Sequence, residues 1–137
     1  MSRAAIAAGG WAAVLSGAPT TVYALAAGRD PLEATKAAGA ILLPRSTRTL
    51  PLLLAAVPVH LAVSLGWAVA LDRVRVRGAA RGAAAGLGIA ALDLGVLGLG
   101  FPRLRALALG PQILDHLAYG VVVGVVLSRA RRRDSVR

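Results

Sequence analysis

The chain has 137 residues, 57% of them hydrophobic and only 16% charged, with a formal net charge of +10. So little charge spread over so much apolar sequence excludes an ordinary soluble domain. The basic residues stand at the ends of apolar runs rather than along a solvated face, which excludes a nucleic-acid partner and points to membrane lipids, anionic headgroups included. The absence of cysteine excludes disulfides, thiolate metal sites and cysteine nucleophiles. Lys36 is the one lysine among the basic residues, and with the abundant Ala and Gly this is the composition of a GC-rich bacterial genome.

Arg3 opens the first apolar run, over about residues 4–27. A basic start, an apolar core and small residues at Gly17 and Ala18 also fit a signal peptide. The run continues through Val22 to Ala27, however, and three more apolar segments follow, so an uncleaved spanning helix is expected. Gly9, Ala13 and Gly17 recur every four residues as a packing stripe. Pro19 predicts a kink, with Ser16, Thr20 or Thr21 placed to satisfy the backbone groups it frees. Asp30-Pro31-Leu32-Glu33 has the pattern of a capping box and predicts a helix over residues 30–43. At ~1.5 Å per residue that helix cannot cross ~30 Å of hydrocarbon, so it is read as interfacial.

Pro51 opens a second span, over 51–71, with Pro58 as a kink and His60, Ser64 and Trp67 on one face. The third, over 78–99, places Gly78, Gly82, Gly86 and Ala90 every fourth position, with Asp93 three residues further on. Gly86 to Ala91 resembles a dinucleotide-binding glycine pattern, but that pattern needs a preceding strand, which a spanning helix excludes. Residues 101–109 form a short amphipathic connection carrying Arg103 and Arg105. The fourth span, over 111–128, holds Asp115 and His116, and Gly120 and Gly124 follow His116 at steps of four. One helical stripe thus runs from an ionisable residue into a close-packing groove, and the other helices are expected to assemble around it. Residues 129–137 form a basic, frayed tail. The predicted fold is all-α: a four-helix transmembrane bundle with a short interfacial helix between spans 1 and 2, packed through Gly82, Gly86, Gly120 and Gly124.

His60, Asp93, Asp115 and His116 all fall between mid-bilayer and one membrane surface, on three different spans. Charges inside a bilayer are costly unless paired, so the cluster demands an explanation. One reading is a polar clasp, in which His60 and His116 hydrogen-bond Asp93 and Asp115 and lock the helix order. Another is an outward-facing cavity lined by these four residues with Ser64, Tyr119 and Thr20, binding a ligand or a proton. A bis-His haem or a zinc site would use the same side chains, but no ligand spacing beyond Asp115-His116 supports either, and no cofactor or metal is assigned. Three functional classes follow. They are transport or ligand binding with a change of protonation, a structural or accessory subunit of a membrane complex, and a membrane-embedded enzyme using an Asp-His pair on a lipid-like substrate. Nothing in the sequence marks a nucleophile. Glycine faces left unpaired by a chain this small predict a homo-oligomer or a larger membrane partner.

The run Asp115-His116-Leu117-Ala118-Tyr119-Gly120, followed by Gly124, resembles the last helix of small bacterial inner-membrane proteins of the YagU-like kind. Gly17-Ala18-Pro19-Thr20-Thr21 with Gly28-Arg29-Asp30-Pro31-Leu32 is similar to small four-span actinobacterial membrane proteins. The resemblance implies a multi-pass inner-membrane protein and carries no chemistry with it. Small multidrug-resistance exporters share the length and span number. They depend on a glutamate in the first span, where this chain has no acidic residue.

Four spans put both termini on one side, together with Arg3, Arg73, Arg75, Arg77, Arg81, Arg129, Arg131, Arg132, Arg133 and Arg137. The other side holds Arg29, Lys36, Arg45, Arg48, Arg103 and Arg105. The positive-inside rule then predicts a cytoplasmic location for both termini in the bacterial inner membrane. In the naturally cysteine-free background, single cysteines at positions 46 and 104 are expected to react with an impermeant thiol reagent from outside, and at 76 and 132 from inside. The reverse pattern would overturn the orientation.

Overall fold

The computed structural model describes residues 1–134, all of whose regular structure is helical. Its elements are α1 (Arg3–Leu15), α2 (Ala18–Ala26), α3 (Glu33–Gly39), α4 (Thr49–Arg73), α5 (Ala79–Gly95), a 3-10 turn (Leu97–Gly100), α6 (Pro102–Arg105) and α7 (Leu109–Asp134). Four stretches are long and apolar enough to cross a membrane: Arg3–Ala26, Thr49–Arg73, Ala79–Gly100 and Leu109–Arg133. The predicted all-α bundle is therefore the observed architecture, and the chain is a membrane protein.

The first span departs from the expected single helix. It is two helices in line, interrupted at Ser16 and Gly17, with Pro19 in the first turn of α2 rather than at a bend inside one helix. Proline has no N–H to give to the preceding turn, and it suits a helix start better than a helix interior. Pro58, by contrast, sits inside an uninterrupted α4. The helix predicted over residues 30–43 is shorter, and its capping box does not form. Asp30 Oδ1 accepts from the Leu32 N–H at 2.8 Å, and Glu33 turns instead to Lys36 and Arg103. Of the basic tail, residues 129–134 continue α7 as helix, because nothing in Arg129-Ala130-Arg131-Arg132-Arg133 breaks it; residues 135–137 lie outside the described residues.

Packing is inside-out by soluble standards. Buried positions are mostly alanine and glycine, with Leu52, Val123 and Leu127 the largest fully buried side chains. Ile6, Trp11, Val14, Leu54, Leu61 and Leu87 face outward. Lipid supplies no hydrophobic force to drive large residues inward, so close approach of small residues holds the helices together instead. α7 is the shared element, packing against α1, α2, α4 and α5. Its crossing with α5 is backbone against backbone. A Cβ built on Gly82 would strike the Gly120 carbonyl, one on Gly86 the His116 carbonyl, and one on Gly124 the Gly78 carbonyl. At the same end the Gly78 N–H donates to the Gly124 carbonyl at 2.9 Å, from a backbone with φ of 86° that favours glycine. Ser2 caps α1 and donates to Asp72, whose other oxygen holds Arg77 at 2.7 Å, tying the N-terminus to the α4–α5 turn.

Replacing Gly120 by alanine is expected to cost about 1–3 kcal/mol through overpacking. Replacing Gly88 by alanine, where a Cβ meets open space, leaves stability unchanged or slightly higher. Thermal unfolding of the two variants in detergent reads the difference.

Candidate functional site

The break in the first span decides where the polar side chains go. In an unbroken helix the Ala13 carbonyl would accept from the Gly17 N–H, and the Thr20 N–H would donate to the Ser16 carbonyl. Here neither bond forms, and inside a bilayer such groups are not left facing lipid without a partner. His60 on α4 donates from Nε2 to the Ala13 carbonyl at 2.8 Å. Asp115 on α7 accepts the Thr20 N–H on Oδ1 at 2.9 Å. Thr21 folds its hydroxyl back onto the Gly17 carbonyl at 2.8 Å. Asp115 thereby caps α2 from a neighbouring span, where the N-terminal half-charge of a helix favours a carboxylate.

A second set of bonds lies beside the first. Trp67 Nε1 donates to Asp93 Oδ2 at 3.1 Å, and His116 Nε2 lies 3.4 Å from the same oxygen. His116 Nδ1 is 2.8 Å from the Gln112 carbonyl one turn earlier on α7. The Tyr119 hydroxyl donates to the Ser64 carbonyl across the α4–α7 interface. The four-membered clasp expected among His60, His116, Asp93 and Asp115 is thus not the arrangement found. Only His116 and Asp93 meet. Asp115 and His116 cannot face each other, because consecutive residues on a helix point about 100° apart.

These bonds surround one cavity of about 440 Å³. All seven residues singled out from the sequence line it: Thr20, His60, Ser64, Asp93, Asp115, His116 and Tyr119. Gly82, Gly86, Gly120 and Gly124 lie outside it, in the α5–α7 groove that fixes the height of His116 against α5. Trp67 and Gln112 are further polar side chains of the lining, and the sequence reading did not place either in the site. Trp67 shares the His60 face, and Gln112 stands one turn before His116, so helical spacing pointed to both. The Ala13 carbonyl carries no sequence signal at all. Among the described residues, no three His, Asp or Glu side chains converge as a metal ion would require.

At the end opposite the termini, Ala34 and Ala38 of α3 and Leu104 of α6 close over the cavity. Glu33 Oε1 accepts from Arg103 Nε at 2.8 Å and joins the two segments. The Arg103 hydrogen bond, and then that of Lys36, hold the Glu33 carboxyl below its ordinary value. Asp30 is lowered chiefly by its bond to Lys36, and Lys36 is raised in return. A smaller cavity of about 140 Å³, lined by Arg29, Asp30 and Glu33, lies beneath this cover. Thr20, Ala34 and Gln112 line both cavities, and the Gln112 side-chain amide donates to the Thr20 hydroxyl at 3.2 Å, so these residues stand between the two.

Comparison with protein-family models, with curated proteins and with solved structures gave no match.

Asp115→Ala removes the acceptor for the Thr20 N–H and is expected to cost about 1–2 kcal/mol, the scale of a lost helix cap. Asp115→Asn retains an acceptor oxygen and costs less. Unfolding in detergent orders the two, and faster amide exchange at Thr20 in the alanine variant locates the cause.

Proposed function

We propose that the chain binds, and carries across the membrane, a small cationic solute in the 440 Å³ cavity. The observation that carries this reading is the convergence of Asp93, Asp115, His60 and His116, from three spans, on one cavity within the apolar layer. Ionisable groups at such depth are costly and mark ligand or ion pathways in membrane proteins. The volume falls within the ~300–1,000 Å³ of small-molecule sites. The lining has two carboxylates and no lysine or arginine, so its electrostatics favour a positive ligand over an anion. The interrupted first span supports transport in particular, because half-helices at a binding site provide a place for the chain to bend. We place the protein in the bacterial inner membrane with both termini in the cytoplasm and the α3–α6 cover outside. Open space beside Gly10 and Gly66 leaves room for a second copy or a larger membrane partner.

A structural or accessory role is the second reading. It is favoured by the fact that each of the four ionisable side chains already has a protein partner. The two readings separate in lipid nanodiscs, by calorimetric titration with alkylammonium ions and with uncharged alcohols of the same shape. The binding reading expects an ammonium ion to saturate the site at least about tenfold more tightly than its alcohol, equivalent to ~1.4 kcal/mol. It further expects Asp93→Asn to lose that preference while remaining folded. If no ammonium ion saturates the site, and Asp93→Asn only lowers the unfolding temperature, the structural reading stands instead.

A further inference from the structure

We infer that His116 and Asp93 form a proton-binding unit, and that the proton on His116 Nε2 is what a cation must displace on entering the cavity. The second half of this statement rests on the binding reading above.

The argument is one of donors and acceptors. His116 Nδ1 lies 2.8 Å from the Gln112 carbonyl, which can only accept, so Nδ1 carries a hydrogen. A neutral ring in that tautomer presents the Nε2 lone pair to Asp93 Oδ2, 3.4 Å away. Two lone pairs facing each other repel, and the contact becomes attractive only when a further proton lies between them. The ring has little freedom to avoid this choice. Rotation would break the Gln112 bond, and Trp67 holds Oδ2 from the other side at 3.1 Å. An indole N–H only donates, so it supports a carboxylate at Asp93 and leaves the proton to the imidazole.

Among the described residues, no other titratable side chain is bonded to His116 Nε2 or to Asp93. Asp115, next on α7, gives Oδ1 to the Thr20 N–H, and His60 on α4 donates to the Ala13 carbonyl. Tyr119 on α7 is bound to the Ser64 carbonyl, and α1, α2 and α3 bring no charged side chain to this cavity. With the proton in place, Asp93 faces an imidazolium, and Asp115 is a second carboxylate elsewhere on the cavity wall. A ligand cation reaching Asp93 would then stand beside a second positive charge at the same carboxylate, and like charges there exclude one another. The exchange needs no co-reactant: the N–H bond at Nε2 opens, the proton passes through the cavity to water, the ring returns to its neutral Nδ1–H form, and the ligand keeps all its bonds. His116 and Asp93 each retain 18% side-chain exposure, on the cavity that both of them line.

Histidine-selective ¹⁵N spectra of the protein in nanodiscs test the unit directly, because His60→Gln leaves His116 as the one histidine. Near neutral pH, both ring nitrogens are expected to be protonated with Asp93 present, and only Nδ1 in the Asp93→Asn background; Asp93→Glu should restore the second proton. Should His60→Gln not fold, wild type against Asp93→Asn carries the same comparison. Identical His116 signals with and without the carboxylate would overturn the unit, whether or not any cation binds. The coupling is read from titration of an alkylammonium ion in buffers of differing ionisation enthalpy. One proton released per ion bound supports it, as does an affinity rising about tenfold per pH unit while the ring is protonated. Binding with no proton release overturns it and leaves the binding reading intact. If no ammonium ion binds, that reading and the coupling fall together, and the spectra alone judge the unit.

Discussion

A backbone N–H or carbonyl inside a bilayer must find its partner within the protein. The first span interrupts its own ladder at Ser16 and Gly17, and two side chains from other spans make up the loss. His60 takes the carbonyl left at the end of α1, and Asp115 takes the amide left at the start of α2. Each requirement fixes a distance between spans that have no covalent reason to be close. Together they bring α4 and α7 to the break, and the cavity is the space between those supports. Polar residues that looked like an unexplained expense in the sequence therefore have a structural cause before any ligand is considered. The cluster both holds the bundle and lines its interior.

Much of this was legible from spacing alone. Four apolar runs separated by proline and arginine gave four spans, because length and composition govern membrane helices more tightly than soluble ones. The stripes of Gly82 and Gly86, and of Gly120 and Gly124, lie on faces that any helical wheel reveals. That they face each other follows from the fold alone. His60, Ser64 and Trp67 shared a face in the sequence and share a cavity in the structure. What spacing could not supply was the identity of partners. Asp115 and His116 look like a pair because they are adjacent, yet adjacency on a helix separates them. His60 reaches a carbonyl of an alanine, a group that every residue possesses and no composition marks. The capping box at Asp30 failed for a related reason. Lys36, one turn along the same helix, and Arg103, brought in by the fold, hold the Glu33 carboxylate in place of the backbone amide it would have capped.

The helices of the bundle are held by different kinds of contact. Where Gly82 and Gly86 of α5 cross Gly120 and Gly124 of α7 the backbones touch, and no side chain stands between them there to change rotamer and admit movement. α3 is fixed to α4 in the same way, with Gly39 against the Leu52 carbonyl, whereas α2 is joined to α7, and α3 to α6, by polar side chains: Gln112 to Thr20, Asp115 to the Thr20 amide, and Glu33 to Arg103. The α5–α7 crossing also sets the histidine–aspartate contact between these two helices. The rim of the α3–α6 cover is joined by a partly exposed charge pair, and α2 is joined to α7 by a neutral amide. The two links are of opposite character, one weakened by salt and the other indifferent to it.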